Sequence, residues 1–419
     1  MAFDFEARRR QRQAQAEKRR EADRKKKKLL IRLGIAAAVL LVCLVVLLAL
    51  PKGEEPPEPV QTQPVETDPS GETQATQPPA ETVLHLVFGG DLNITDKVVD
   101  SGTGAYEYPQ TFLDVAHLLA DADITALNFE GILAGAPYGG TTGSAPQGLV
   151  NALDKVGVDV LQLANSCSLN KGLSGLSATI DSVRSAGMEP LGVKKANEDT
   201  DSFVIYEIDG VRIAYVAFTK GMDGLALPAG SEGSVNVLYT DYDGMYQDVD
   251  EQGILTVLGQ VNSYAPDLTV AMLHWGSKLN DTISTSQKEI IQLLQSQGVD
   301  AIVGTHSHYV QKMELDEQGR FVAYSLGDFM SDGTEAGTEY SVLLDLEVTH
   351  SNVTGKTTIT DYSFTPIFTV HEEGKPLRVV RIYEAMEAYE NGYLEAVSAQ
   401  TYSDMAYALT RIEARTSGQ

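Results

Sequence analysis

Five apolar runs of strand type, each ending in polar residues, constrain the fold of this chain more than any other feature. They are TVLHLVFGGD (82–91), ITALNFE (124–130), VDVLQLAN (158–165), LTVAMLHWG (268–276) and VDAIVGTHSH (299–308). Helical stretches such as QGLVNALDKVG, LSGLSATIDSVRSAG and SQKEIIQLLQSQG lie between several of these runs. This alternation predicts an α/β fold, in which functional sites open at the carboxyl ends of the strands.

A second group of strands is predicted further along the chain. The stretch SFVIYEIDGVRIAYVAFT is typical of a hairpin that turns at Asp209 and Gly210. RFVAYSLGDF and an alternating stretch after it add more strands, and two helical segments rich in Tyr, Glu and Ala close the chain. We therefore predict a folded domain at residues 82–375 and a C-terminal helical extension at residues 376–419.

The amino-terminal region divides into three parts of contrasting composition. Residues 1–28 form a basic arm, residues 29–50 are almost wholly apolar, and residues 51–81 are mainly Pro, Glu, Thr and Gln. A helix needs about 20 apolar residues to cross a membrane, so the sequence predicts a transmembrane anchor at 29–50 with the basic arm in the cytoplasm. A cleaved signal peptide is the alternative. Residues 51–81 contain too few large apolar side chains to fold and are expected to form a disordered linker.

The charge of the chain limits its partners. The whole chain carries a net charge of −26 although its amino-terminal arm is basic, so the remainder is strongly acidic. Nucleic acids are bound through clustered Lys and Arg, and we therefore expect no nucleic-acid partner. The expected location is the cell membrane, contacted by a single N-terminal helix, with the amino terminus in the cytoplasm and the main domain outside it.

Residues of metal-binding type gather at the predicted strand ends. Asp91 and Glu130 end two of the runs, and His274, His306 and His308 end two others. A mixed set of carboxylates and imidazoles suits Zn, Mn or Fe. The sequence therefore predicts a divalent metal site. The alternative is that His274 is a hydrogen-bonded core residue and that His306 and His308 are ordinary turn residues.

Several motifs occur in the order and spacing of a known family. They are FGGDLNI, ALNFEGIL, LANSCSLNKG, MLHWGSKLN, GTHSHYV and AYSLGDF. From about Thr82 to about Phe368 the chain resembles the CapA-type capsule-synthesis proteins (the poly-γ-glutamate capsule family), whose domain is similar to the calcineurin-like metallophosphatases. The resemblance implies an α/β (α+β) sandwich of two β-sheets flanked by helices, here preceded by one transmembrane helix.

The resemblance also implies roles for individual residues. The Gly-Asp, Asn-x-Glu, His-Trp-Gly and Gly-x-His-x-His motifs of the family are intact, and Glu130 is a candidate to bridge two metal ions. The residues implied for catalysis are Asp91, Asn128, Cys167 and His274. The metal ligands implied are Asp91, Glu130, His274, His306 and His308.

The stretch LANSCSLNKG departs from the family, which reads Ala-Asn-Asn-His followed by Asp-x-Gly. Ser166 and Cys167 stand where the family has a metal-binding Asn and a proton-donating His, and Asn170 replaces the Asp. Elsewhere Lys278 replaces a Glu, and Asp328 replaces an Asn. A serine hydroxyl is a poor ligand unless deprotonated, and a thiol is a poor substitute for a protonated imidazole. These changes predict relaxed or altered chemistry.

Two functions are consistent with this sequence. The first is an anchored, metal-dependent hydrolase or transferase that acts on a phosphoester or an amide-type polymer during synthesis or export of a capsule or another surface polymer. The second is an accessory or polymer-binding protein that uses the same fold without turnover. In both, the expected partners are a capsule-synthesis complex and an anionic polymer of the poly-γ-glutamate type.

Overall fold

The computed structural model of the chain describes residues 80–393 and 396–416. The predicted arm (1–28), the predicted anchor (29–50) and nearly all of the predicted linker (51–81) lie outside these residues. None of the helices in the described residues is long and apolar enough to cross a bilayer, and the longest of them carries charged side chains along its length. Within these residues, the predicted single-pass location at the cell membrane, with its transmembrane helix, is contradicted.

Thirteen strands occur in the described part of the chain. They are Glu81–Asn93 (β1), Ile124–Glu130 (β2), Val160–Gln162 (β3), Glu189–Leu191 (β4), Val204–Ile208 (β5), Val211–Thr219 (β6), Leu268–His274 (β7), Ala301–Thr305 (β8), Met313–Leu315 (β9), Phe321–Ala323 (β10), Tyr340–Ser351 (β11), Thr357–Val370 (β12) and Arg378–Arg381 (β13). The runs identified in the sequence account for most of them. The short strands β4, β9 and β13 were not predicted.

Eight helices are described between and after these strands. They are Asp96–Asp100 (α1), Ala116–Asp121 (α2), Gln147–Val156 (α3), Gly172–Ala186 (α4), Glu251–Ser263 (α5), Thr285–Ser296 (α6), Ile382–Glu390 (α7) and Ala399–Thr416 (α8). Helices α3 and α4 each end at a glycine in the left-handed conformation, Gly157 and Gly187, which suits a residue without a Cβ. Helix α6 begins with a capping box between Ser284 and Gln287.

The strands form two mixed sheets. The first has the order β13–β12–β11–β1–β2–β3–β4, parallel from β1 to β4 and antiparallel on the other side. The second has the order β5–β6–β7–β8–β10–β9, and its central strands β6, β7, β8 and β10 are parallel. The predicted hairpin at Asp209 and Gly210 is confirmed, since it joins the antiparallel strands β5 and β6. Strand β13 extends the first sheet past the boundary that the sequence places at residue 375.

The hydrophobic core explains why the two sheets pack together. Strand β7 is buried along its whole length, and its side chains point alternately to two different clusters. Val270 and Met272 belong to a large cluster shared with residues of the first sheet, such as Leu86. Ala271 and Leu273 face a second cluster that includes side chains of α5 and α6. Two mixed sheets with flanking helices are thus the architecture, as the sequence predicts.

Candidate metal centre

The carboxylates of the site come from the first sheet and the imidazoles from the second. Asp91 and Glu130 lie near the carboxyl ends of the parallel neighbours β1 and β2, where Asp91 stands opposite Asn128. His274 is the last residue of β7, and the turn that carries His306 follows β8 directly. These strand ends meet at one edge of the sandwich. The structure therefore brings together all five residues that the sequence predicts as metal ligands.

The donor atoms fall into two overlapping groups. The carboxylate and imidazole atoms of Glu130, His274 and His306 lie within 4.8 Å of one another, and so do those of Asp91, Glu130 and His308. Glu130 belongs to both groups. A carboxylate has two oxygens and can therefore serve two neighbouring cations. Each group brings together three side chains of the types that hold a divalent cation.

Two polar atoms in these groups lack a partner. Glu130 Oε2 and His306 Nδ1 are buried and accept or donate no hydrogen bond within the part of the chain that the structure describes. A buried polar group left unsatisfied costs about 1–3 kcal/mol. Because a cation would satisfy atoms of this kind, the residues present fit a divalent metal ion.

The turn after β8 has a strained backbone. His306 has φ of 87° and His308 has φ of 61°, a region that residues with a Cβ seldom adopt. Strain of this kind costs about 1–3 kcal/mol per residue and persists where surrounding contacts enforce it. One such contact is the hydrogen bond that the His306 amide donates to Asp91 Oδ2, at 2.9 Å. The turn thereby places both imidazoles on the side of the carboxylates.

A chain of amides orients Asp91. Asn128 Nδ2 donates a short hydrogen bond to Asp91 Oδ1 and lies 3.4 Å from His274 Nδ1. Asn165 Nδ2 in turn donates to Asn128 Oδ1 at 3.0 Å and to the carbonyl oxygen of Phe129 at 2.7 Å. The predicted catalytic residue Asn128 is thus held on both sides. Asn165, which keeps the first Asn of the family motif, acts on Asp91 through it.

Ser166 and Cys167 occupy the positions where the sequence departs from the family. Ser166 Oγ lies 2.9 Å from His274 Nε2, a hydrogen-bond distance, so the hydroxyl points into the site. The Cys167 thiol belongs to neither group of metal-binding atoms in the described residues. Burial, reinforced by the Glu130 carboxylate, raises the pKa of Cys167 above its usual range. The thiol is therefore neutral, and as an acid it is weaker than an exposed cysteine.

Asp328 is a site residue that sequence reasoning noted only as a substitution. Its Oδ1 lies 2.8 Å from His308 Nδ1, and both side chains are largely buried. Burial lowers the pKa of His308, but the carboxylates of Asp328, Glu130 and Asp91 together outweigh it and raise the value to about 10. A carboxylate bonded to one ring nitrogen fixes the orientation of the other. The signal for this role was the position of Asp328 in the Ser-Leu-Gly-Asn-Phe motif of the family.

Burial sets the charge of the remaining groups. It lowers the pKa of His274 and of His306, with nearby cationic side chains adding to the effect, so both imidazoles are neutral and able to bind a metal ion. Burial, together with the Asp91 carboxylate, raises the pKa of Glu130 to about 7. Without a cation this carboxylate is easily protonated near neutral pH. Burial and the neighbouring Asp91 carboxylate thus both disfavour the charged form of Glu130.

Two lysines approach the edge of the site. Lys220 follows β6, and its Nζ donates to the carbonyl oxygen of Gly276 at 2.7 Å. Lys278, which replaces a Glu of the family, is an exposed residue. Partial desolvation lowers the pKa of its ammonium group, but the carboxylates of Glu130 and Asp223 raise that pKa above its ordinary value. Burial lowers the pKa of Lys220, and the nearby Lys278 cation adds to the effect.

Solved structures with a similar arrangement of chain include two phosphoesterase-type proteins. The calcineurin-like phosphoesterase YfkN from Bacillus subtilis is 14% identical with a TM-score of 0.41, and the match covers 80% of this chain and 98% of that one. A novel phosphatase from Mycoplasma pneumoniae is 11% identical with a TM-score of 0.40, covering 68% of this chain and 94% of that one.

Two Bacillus proteins are similar in sequence. The capsule biosynthesis protein CapA of Bacillus anthracis is 29% identical over 202 residues, which are 48% of this chain. The PGA biosynthesis protein CapA of Bacillus subtilis strain 168 is 24% identical over 310 residues, 72% of this chain and 75% of that protein. The chain spans about half of the Bacillus anthracis protein (47%) and three quarters of the other.

The part of the chain that contains the candidate metal centre matches a protein family. Residues 85–333 match the bacterial capsule synthesis protein PGA_cap. This range is more than half of the chain and includes Asp91, Glu130 and His274 as well as the turn after β8. The chain therefore belongs to the PGA_cap family of bacterial capsule synthesis proteins.

Proposed function

We propose that this chain is a metal-dependent protein of capsule or surface-polymer synthesis, which binds divalent cations through the two donor groups that share Glu130. The proposal rests on two buried atoms, Glu130 Oε2 and His306 Nδ1, that have no hydrogen-bond partner among the described residues. Both lie within a set of five converging candidate ligands. Mixed carboxylate and imidazole donors favour Mn, Zn or Fe over Ca or Mg. Membership of the family, and the capsule-related names of the two Bacillus relatives, support the pathway.

The proposed activity is hydrolysis or transfer at a phosphoester or at an amide of an anionic polymer. A bound divalent cation would supply Lewis-acid polarisation of the scissile group and neutralise developing charge. The contribution of the protein is to hold the donor side chains in fixed orientations. Asn128 fixes Asp91, Asp328 fixes His308, and the Ser166 hydroxyl fixes His274 Nε2.

The substrate class we propose is a polymer of the poly-γ-glutamate type, which the resemblance to the poly-γ-glutamate capsule family implies. The match to PGA_cap and the similarity to a PGA biosynthesis protein support it. Such a polymer is anionic, and so is this chain, with a net charge of −26. At physiological salt their repulsion is screened beyond about 8 Å, so it opposes contact without preventing it. Lys220, Lys278 and a bound cation would provide local positive charge at the site itself.

A second candidate is an accessory protein without turnover within a capsule-synthesis complex. The observation that favours it is the neutral, half-buried Cys167 thiol at the position where the family has a proton-donating His. General acid catalysis contributes about 10²–10⁴-fold to a reaction rate, so the loss of the acid alone would leave a slow enzyme. In this case the metal ions would bind polymer carboxylates without cleaving a bond.

The experiment that tests the proposal uses protein stripped with a chelator and then supplied with Mn²⁺ or Zn²⁺. We expect saturable metal binding, together with metal-dependent cleavage of bis-p-nitrophenyl phosphate or shortening of poly-γ-glutamate chains. Metal binding without any cleavage would favour the accessory protein. A chain that remains metal-free in both solutions would overturn the proposal itself.

A further inference from the structure

The last turn of helix α8 reaches the loops around the candidate metal centre. Arg415 lies one residue before the end of this helix, and only 11% of its side chain is exposed. Its sequence position is more than a hundred residues from the nearest proposed ligand, His308. Nothing in the family motifs refers to this residue, which lies outside the matched range 85–333.

Three aromatic or acidic side chains surround the guanidinium group of Arg415. Its Cζ lies 4.4 Å from the centre of the Tyr309 ring, which is a cation–π distance. Its Nη1 donates to Tyr340 Oη at 3.4 Å, and its Nη2 lies 3.7 Å from Asp281 Oδ2. The planar group is therefore fixed on several sides.

Two of these contacts are with loops that border the metal centre. Tyr309 follows His308 directly, and its own hydroxyl donates to the carbonyl oxygen of Ala336 at 3.2 Å. Asp281 belongs to the loop after β7. That loop is bonded to the histidine turn, because the Leu279 amide donates to the carbonyl oxygen of Ser307 at 3.0 Å. Arg415 thus contacts both members of a bonded pair of loops.

The histidine turn requires support of this kind. Its two histidines have positive φ, a conformation that persists only where neighbouring contacts enforce it. On one side, Asp91 accepts from the His306 amide. On the other side, Tyr309 leads out of the turn and packs against Arg415. Release of Tyr309 would let the turn relax and move His308 away from Asp91.

A purely structural role for Arg415 is less consistent with its surroundings. Its Nε is buried and has no hydrogen-bond partner within the described residues. Hydrogen bonding of the guanidinium group therefore does not account for the position of this side chain. The ion pair with Asp281 is half-exposed on the carboxylate side and is weak for that reason. The close packing on Tyr309 is the contact that the geometry favours.

We propose that Arg415 is a positioning residue of the metal centre, which makes the end of helix α8 a support for the His306–His308 turn. This inference rests on the proposed function as far as it concerns metal affinity. It assigns to the C-terminal helix a part in forming the site. Arg415 itself touches neither substrate nor metal and acts through Tyr309.

The test compares Arg415→Ala with Arg411→Ala. Arg411 lies one turn earlier on the same helix and also bonds Tyr340, so the control removes an arginine and a Tyr340 contact. In metal-free protein we expect Arg415→Ala to speed amide hydrogen exchange across residues 306–310 by about 10-fold or more, with no change in the control. The affinity for Mn²⁺ or Zn²⁺ should fall by about 10-fold, the lower end of the range for residues that support ligands. Unchanged exchange in the turn would overturn the inference.

The two readouts separate this inference from the proposed function. A wild-type chain that binds no metal refutes the proposed function, while the exchange experiment still decides the role of Arg415. If Arg415→Ala does not fold, Arg415→Lys serves instead, because it keeps the charge but loses the planar group that packs on Tyr309. We expect faster exchange in the lysine variant too. Wild-type exchange in Arg415→Lys would show that charge alone suffices and would overturn the role of Tyr309 packing.

Discussion

Two turns at corresponding places in the two sheets have very different chemistry. The turn at Asn165–Cys167 follows β3 of the first sheet, and the turn at His306–His308 follows β8 of the second. The first turn bonds Asn128 and His274, and the second bonds Asp91 and Asp328. The histidine turn brings metal-binding nitrogens to Asp91 and Glu130, whereas the other turn brings an amide, a hydroxyl and a thiol.

Under the proposed function, this difference would assign metal binding and proton donation to separate turns. The histidine turn, with Asp91 and Glu130, contains the donors for a cation without help from Ser166 or Cys167. The turn after β3 instead holds its neighbours in place by hydrogen bonds. If the proposed function holds, a change in the turn after β3 should lower the catalytic rate and leave metal binding intact.

The largest expected effect concerns the histidine turn. The double variant His306→Ala/His308→Ala removes a ligand from each donor group and should abolish measurable Mn²⁺ or Zn²⁺ binding, a larger loss than the roughly 10–100-fold typical of supporting residues. Calorimetric titration measures it. His350→Ala, which removes a histidine from β11 outside the site, serves as the control and should bind like the wild type. Binding by the double variant at wild-type strength would refute the ligand assignment.

The next effect concerns the turn after β3. Ser166→Asn/Cys167→His restores the residues of the family and should raise metal-dependent hydrolysis of bis-p-nitrophenyl phosphate by about 10²–10⁴-fold, the contribution of a general acid. Cys167→Ser is the matched control, since it changes the thiol without adding an imidazole, and should leave the rate near that of the wild type. No gain in the double variant, in the presence of bound metal, would mean that more than the acid is missing.

A smaller effect is expected at Asp328. Asp328→Ala removes the partner of His308 Nδ1 and should weaken metal binding by about 10–100-fold. Asp345→Ala provides the control, because it removes a carboxylate paired with a histidine, His85, at a distance from the site. Equal affinities for the two variants would show that Asp328 does not orient a ligand.

The smallest effect concerns pH. Burial raises the pKa of Glu130 from an ordinary value of 4.5 to about 7. In metal-free protein, the contribution of this protonated carboxyl to stability is complete below about 4.5 and is lost as pH rises through 7. Metal binding displaces the same proton, so the stabilisation by metal should grow between pH 5.5 and pH 8. The increase expected in the metal-induced shift of Tm is about 2–4 °C. Thermal melts with and without Mn²⁺ measure it, and a shift that shrinks with rising pH contradicts the role of Glu130.

Local sequence signals predicted much of the fold and the five candidate ligands that the structure brings together. Buried strands such as β2 and β7 are continuous apolar runs, and polar residues at their ends identified Asp91, Glu130 and His274. The strands that were missed are three or four residues long and have no clear periodicity. Strand β13 depends on pairing with β12, which no local pattern indicates.

Contacts between distant parts of the chain could not be predicted. Asp328 meets His308 because β10 lies beside β8 in parallel, and that neighbour relation is a property of the assembled sheet. Ser166 meets His274 only because the two sheets pack together at one edge. Arg415 reaches Tyr309 through the packing of a C-terminal helix. In each case the residue type was visible in the sequence, but its partner was not.

The most direct test of the metal centre is a titration of Mn²⁺ and Zn²⁺ into chelator-treated wild type and Glu130→Gln. Because Glu130 belongs to both donor groups, one substitution should weaken both sites. We predict saturable binding to the wild type with up to two ions per chain, and loss of binding at both sites in Glu130→Gln. A wild type that binds neither ion, or a Glu130→Gln variant that binds as the wild type does, would contradict the shared metal centre.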